Sequence, residues 1–155
     1  MKLRMPFCVI LITAMFTSCA PSNSGQTSNN ISSEDDIIQT SEIEWADVFK
    51  QEEDHYIVFF YSETCEHCHQ IMGDVTAFAR EDIVKTYFLN IKKGDAQIPI
   101  NSDVEYTIGA TKIEDLSIRG TPTIVEITDF TVTANVAGKE KCLTLLYDLK
   151  SSANK

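Results

Sequence analysis

Tyr56-Ile57-Val58-Phe59-Phe60-Tyr61 is an unbroken run of aromatic and β-branched residues. Its length and composition suit a strand buried on both faces, since a half-solvated strand would alternate with polar residues. A helix follows, opening near Cys65. Ile71, Met72, Val75, Phe78 and Ala79 mark its buried side, and Gly73 in its middle is expected to weaken or bend it. Tyr87-Phe88-Leu89-Asn90-Ile91 then reads as a second strand. A helix between two strands of buried character predicts a βαβ unit with a parallel pair.

The flanking segments are read the same way. Ser41-Glu42-Ile43-Glu44 has the S-x-x-E form of a capping box, and Trp45, Val48 and Phe49 follow at helical spacing. The pattern predicts a short helix ending near Gln51, ahead of Glu52-Glu53-Asp54. Residues 93–112 carry turn residues, Pro99 and weak periodicity, and predict no element. Thr121 to Ile127 is a strand entered through Pro122. Thr131 to Val136 is another, and the short turn at Asp129-Phe130 makes the two an antiparallel hairpin. Cys142, Leu145, Leu146 and Leu149 share one face of a final helix. The expected class is α/β, with a central mixed sheet of four or five strands flanked by helices.

The 155 residues hold enough apolar side chains, 43%, for one domain of about 100–150 residues. A formal charge of -10 with no basic stripe leaves no electrostatic footprint for nucleic acid. No apolar run is long enough to span a bilayer. Lys2 and Arg4 precede the apolar stretch Pro6–Phe16, which has the anatomy of a secretory signal. Its ending, Phe16-Thr17-Ser18-Cys19, resembles the lipobox of bacterial lipoproteins, although Phe16 stands where Leu is usual. That resemblance implies a signal peptide over 1–18, a lipid on Cys19, and a protein tethered to the extracytoplasmic face of a bacterial membrane. Loss of 1–18 removes Lys2 and Arg4 and no acid, taking the formal charge from -10 to -12. Residues 19–36 are Ser/Asn-rich and read as a flexible linker, 37–150 as the folded domain, and 151–155 as a polar tail.

The chemistry centres on Cys65-Glu66-His67-Cys68. A C-x-x-C at a helix start puts both sulfurs on one turn, within reach of a disulfide. The helix N-terminus favours thiolate at Cys65, while Cys68, a turn deeper, is shielded and suited to resolve a mixed disulfide. His67 can stabilise the Cys65 thiolate by charge and hydrogen bond, and Glu66 opposes it by like-charge repulsion. A rival reading gives Cys65, Cys68, His67 and His69 to Cu(I) or Zn(II), as in a metal chaperone, but the remaining ligands would have to come from His55 or Cys142. Cys142 itself reads first as a buried, inert thiol and second as a redox partner for the pair. His69 reads as a surface residue of the helix.

Together with Ile118-Arg119-Gly120-Thr121-Pro122-Thr123, the cysteine pair resembles the two signature sites of the thioredoxin family over roughly residues 42–149. The resemblance implies the thioredoxin fold, a cis peptide before Pro122, and a proline loop packed on the cysteine pair. It also implies a groove shaped by Thr121 and Pro122 that pairs with an extended substrate chain. The implied activity is thiol–disulfide exchange with protein thiols and disulfides, without a cofactor or metal, regenerated by a membrane or extracytoplasmic redox partner. A redox-inactive binding module on the same scaffold is the other alternative. His67 before the second cysteine is similar to protein disulfide isomerase and the periplasmic oxidases. The chain departs from the family in four places. Thr64 replaces the Trp before the first cysteine, Phe59 replaces a buried Asp that assists the resolving thiol, and Gly73 replaces a kinking Pro. About a dozen residues are inserted before the proline strand, between Ile91 and Gly120. Glu63 and Glu66 are the carboxylates available to stand in for the missing Asp.

Overall fold

The structure, a computed structural model, describes residues 33–95 and 97–153. The leader, Cys19 and the linker up to residue 32 lie outside the described residues. Four strands form one sheet: β1 (His55–Tyr61), β2 (Lys85–Asn90), β3 (Thr123–Thr128) and β4 (Thr131–Ala137), in the order β2-β1-β3-β4. β1 runs parallel to β2 and antiparallel to β3, with Phe59 opposite both Phe88 and Ile124. β3 and β4 form the expected hairpin, with a register shift at Glu126/Ile127. Among the described residues three α-helices accompany the sheet: α1 (Glu34–Thr40), α2 (Glu66–Glu81) and α3 (Lys139–Ala153). This is the thioredoxin fold that the sequence implies, with four strands.

The side-chain alternation of β1 divides the apolar residues into two cores. Ile57, Phe59 and Tyr61 pack with Cys68, Ile71, Val75, Phe78, Cys142 and Leu146 beneath α2 and α3. Phe59 stacks on Tyr61 with ring centroids 6.0 Å apart and meets Phe88 edge-on at 6.1 Å. Tyr56, Val58 and Phe60 face the other way, onto Val48, Leu116 and Ile118. No α-helix covers that side among the described residues. Single 3-10 turns do so instead, at Trp45–Asp47, Glu105–Thr107 and Ile113–Asp115.

The helix expected over 41–51 does not form. Phe88 on the outer edge of β2 has an N–H and a C=O to satisfy, and the chain at 41–43 satisfies them. Phe88 N–H donates to Ser41 O at 2.9 Å, and Ile43 N–H donates to Phe88 O at 2.8 Å. The Ser41 carbonyl is thereby taken by the strand edge and cannot accept the first bond of a following helix, so Ser41, at φ -119° and ψ 12°, closes α1 as its C-cap instead. The capping box forms eight residues earlier. Ser33 Oγ accepts from Asp36 N–H and Asp36 Oδ2 accepts from Ser33 N–H, each at 3.1 Å, so Glu34, Asp35 and Asp36 form the first turn of α1 and are not linker. At the other end α3 continues through Ser151 and Ser152 to Ala153, so those residues are helical and not tail; Ser152 Oγ donates back to Asp148 O at 2.8 Å.

The final helix forms as expected, with Cys142 and Leu146 buried. α2 buries Cys68, Ile71, Val75 and Phe78 and passes through Gly73 without interruption. In the inserted segment, residues 99–101 pair with Ile118: Ile118 N–H donates to Pro99 O at 3.0 Å and Asn101 N–H to Ile118 O at 2.9 Å. The insertion is therefore fastened to the chain leading into the proline loop. No helix among the described residues is long and apolar enough to cross a membrane.

Candidate functional site

The turn between β1 and α2 is built by Ser62. Its hydroxyl accepts from Thr64 N–H at 3.3 Å and lies 3.1 Å from Thr64 Oγ1, while its carbonyl accepts from Cys65 N–H at 3.0 Å. Such a side-chain turn ends the strand and delivers Cys65 to the N-cap of α2 in an extended conformation. There the Cys65 sulfur does what a Ser or Asp oxygen does at other helix starts: it accepts from Cys68 N–H, at 3.2 Å. Thr64, in place of the family's Trp, serves this turn.

Cys65 and Cys68 are joined as a disulfide, with Cα atoms 5.2 Å apart. Cys65 is part-exposed and Cys68 is fully buried. An N–H aimed at Cys65 and the positive end of a four-turn helix favour negative charge on that sulfur when the bridge is opened. Cys68 meets Phe59 and Tyr61 of the apolar core, where no water is available to a thiolate.

The proline loop closes the site from the opposite side. The Thr121–Pro122 bond is cis, as the resemblance implies, and the Thr121 carbonyl oxygen lies 3.4 Å from Cys65 Sγ. Gly120 precedes it at φ 145°, a conformation that a side chain rarely adopts. Thr123 Oγ1 donates to Gly120 O at 2.7 Å, and Gly138 N–H donates to Pro122 O at 2.8 Å. Thr121 itself takes part in no backbone pairing among the described residues; its carbonyl faces Cys65 Sγ, and its N–H has no backbone partner where an extended chain could pair.

The other sequence candidates surround this pair without touching it. His67 is exposed, and its Nδ1 lies 3.5 Å from Gln70 Oε1; no hydrogen bond joins it to either sulfur. Glu66 accepts from Gln70 Nε2 at 3.4 Å. Glu63, also exposed, accepts from Asn90 Nδ2 at 3.0 Å. Phe59 fills the place of the missing buried Asp with an aromatic ring. His69 stands on the surface, as expected, and its Nε2 lies 2.6 Å from the Glu63 carbonyl oxygen, the ring N–H donating. His55 lies across the sheet against Glu126, at 2.9 Å. Cys142 is buried in the core under the site, and burial pushes its thiol up to about 12. No group of three or more His, Cys, Asp or Glu side chains is assembled to hold a metal among the described residues.

Sequence reasoning missed Gly138, Lys139 and Gln70. Gly138, at φ 95°, turns β4 into α3 and props the proline loop. Lys139 Nζ donates to Gln70 Oε1 at 3.1 Å, tying the start of α3 to the first turns of α2. The signal for Gly138 was present, a glycine between a strand and an amphipathic helix. Nothing in the spacing of Gln70 and Lys139, 69 residues apart, announces their contact.

Known structures share this fold at low sequence identity. Spinach chloroplast thioredoxin f, long form, is 17% identical with a TM-score of 0.51, over 74% of this chain and 86% of that one. Mitochondrial thioredoxin 3 of Saccharomyces cerevisiae, oxidised form, is 13% identical with a TM-score of 0.52, over 74% and 98%. No curated protein sequence matches. At these identities the structures speak for the fold alone. The family model named Thioredoxin, however, matches residues 36–151. That span takes in all four strands, the bridged Cys65–Cys68 pair and the cis-proline loop, and it makes this chain a redox-capable member of the thioredoxin family.

Proposed function

We propose that the protein is a thiol–disulfide oxidoreductase acting on protein substrates, tethered by a lipid on Cys19 to the extracytoplasmic face of a bacterial membrane. The observation that carries the catalytic reading is the position of Cys65 Sγ, capped by Cys68 N–H at 3.2 Å and 3.4 Å from Thr121 O. One sulfur is thus both activated by a helix start and placed beside an open backbone edge. The anchor rests on the Phe16-Thr17-Ser18-Cys19 ending and the signal anatomy before it.

In the reducing direction the Cys65 thiolate attacks one sulfur of a client disulfide. A Cys65–client disulfide forms, the client S–S bond breaks, and the departing client thiolate takes up a proton. Cys68 then loses its proton and attacks Cys65 Sγ. The second client thiol leaves, and the Cys65–Cys68 bridge closes. Two electrons pass from the dithiol to the client, and a thiol-bearing redox partner must restore them. Run backward, the same steps oxidise a client dithiol. Thr121 and Pro122 shape the groove that holds the client strand, and His67 and Glu66 tune the potential.

The test is turnover and trapping. Purified protein should reduce insulin with dithiothreitol as donor, and Cys65→Ser should abolish the reaction. Cys68→Ser should block turnover and accumulate mixed disulfides on Cys65, which can be identified from cells by mass spectrometry. Full turnover by either variant refutes the assignment. For the anchor, Cys19→Ser should release the protein from membranes or stop its maturation. Unchanged partition, with no lipid on the wild type, refutes it.

A further inference from the structure

Two surface hollows beside the redox pair share Ala137 and Gly138, and together make one trough. The first is lined by Arg119, Thr121 and Pro122, the second by His67, Lys139, Glu140 and Lys141. The trough thus runs from the chain before the cis-proline, past the Thr121 backbone edge, to the first turns of α2 and α3.

Its charge is opposite to that of the molecule. Arg119, Lys139 and Lys141 face one carboxylate, Glu140, so the lining carries +2. The whole chain carries -10, which leaves -12 for everything else. A patch drawn at random from this surface would be acidic. Lys139 is committed in part, donating to Gln70 Oε1 at 3.1 Å and lying 3.6 Å from Glu140. The side chains of Arg119 and Lys141, both exposed, make no hydrogen bond or ion pair among the described residues. Two unspent cations therefore bracket the edge where a substrate strand would pair. At physiological salt the screening length is about 8 Å, so charges inside the trough outweigh acids beyond that length for a chain lying in it; Glu66, whose carboxylate accepts from Gln70 beside Lys139, stands at the rim and offsets one of them.

We infer that the trough selects client segments with Asp or Glu close to the reactive cysteine. The inference rests on the disulfide-exchange reading of the same site and names its substrate class. A strand paired with Thr121 advances about 3.3 Å per residue, so side chains two to four positions from the client cysteine fall along the trough toward Arg119 or toward Lys139 and Lys141. Opposite charges there raise the encounter rate and fix the register, whereas a basic segment meets like charge.

Three fluorogenic peptide disulfides test this, identical except for Asp, Ser or Lys at the positions flanking the cysteine. Reduction is followed at 0.15 M salt. The expected kcat/KM order is Asp above Ser above Lys, with about tenfold between the extremes, as a few exposed charge pairs supply. The double variant Arg119→Glu, Lys141→Glu should reverse the order. Reading the ratio between peptides keeps the result independent of any loss of folded protein, and Arg119→Gln, Lys141→Gln should flatten it. Equal rates on the three peptides, or a preference for Lys, overturn the inference and leave disulfide exchange standing. If the wild type reduces none of them, the exchange reading fails and this inference with it. Binding to phosphatidylglycerol vesicles that the double reversal abolishes, with equal peptide rates, assigns the patch to a lipid surface and overturns it as well.

Discussion

Phe59 stands where a carboxylate would help the second cysteine lose its proton, and this should be visible in the pH dependence of one step. Resolution of the Cys65–client disulfide requires the Cys68 thiolate. Cys68 is 0% exposed and shares its cluster with Phe59, Tyr61 and Ile71. The same cluster holds Cys142, also 0% exposed, whose thiol burial pushes from 9.0 to about 12. Against this the helix start offers Cys68 about 0.3–1 kcal/mol, or about 0.2–0.7 of a pH unit. Desolvation is the larger effect and disfavours the Cys68 thiolate during resolution. While the thiol is mostly protonated, its thiolate fraction rises about tenfold per pH unit, so the mixed disulfide should shorten its lifetime about 100-fold between pH 6.5 and 8.5. Quenched-flow mixing of the reduced protein with a peptide disulfide, with acid quench and mass spectrometry, measures that lifetime directly. A plateau below pH 8 would refute the reasoning, because some group would then be taking the proton. Glu63→Gln and Glu66→Gln would show which carboxylate it is.

Two further outcomes follow from the same packing. Gly73 lies inside α2 with room for a methyl group, whose nearest neighbour would be Glu34 Oε2 at 3.9 Å, so Gly73→Ala should raise stability by about 0.5–1 kcal/mol in urea unfolding with exchange activity unchanged. Burial holds Cys142 protonated in the folded state to about pH 12, whereas in the unfolded chain it ionises near 9. Its contribution is therefore intact below pH 9 and lost as pH rises from there toward 12. Cys142→Ala should flatten that part of the stability profile, cost about 1 kcal/mol at neutral pH, and leave disulfide exchange intact.

The parts of this fold that were legible in the sequence are those fixed by local chemistry. The aromatic run of β1, the helix at the cysteine pair, the hairpin at Asp129-Phe130 and the proline entry to β3 each carry their signal within a few residues. The short helix over 41–51 was misread because its S-x-x-E pattern is real but local. What decided the matter was the unpaired edge of β2 at Phe88, a partner 45 positions away that no window of sequence contains. The start of the fold was misjudged for a related reason: Glu34-Asp35-Asp36 looks like solvated linker until Ser33 is seen to cap it and Ile37 and Ile38 to pack on the core. At the site, the capped Cys65 and the cis-proline were readable because each is a short motif with one structural solution. The Gln70–Lys139 tie and the cationic trough were not, since they join α2 to the start of α3 and exist only once the sheet has brought them together.

The central claim is that Cys65 and Cys68 form a reversible two-electron couple. Equilibration of the protein in glutathione buffers of stepped ratio, followed by alkylation and peptide mass spectrometry, tests it most directly. A single transition is expected, in which Cys65 and Cys68 pass together from alkylated to bridged, while Cys142 remains a thiol throughout. With the helix start favouring thiolate at Cys65, and the exposed His67 and Glu66 opposing each other through solvent, the midpoint should lie between about -180 and -250 mV. A midpoint below about -280 mV would deny thiolate stabilisation at Cys65 and favour a reductase. No transition at all, or one that draws in Cys142, would contradict the claim itself.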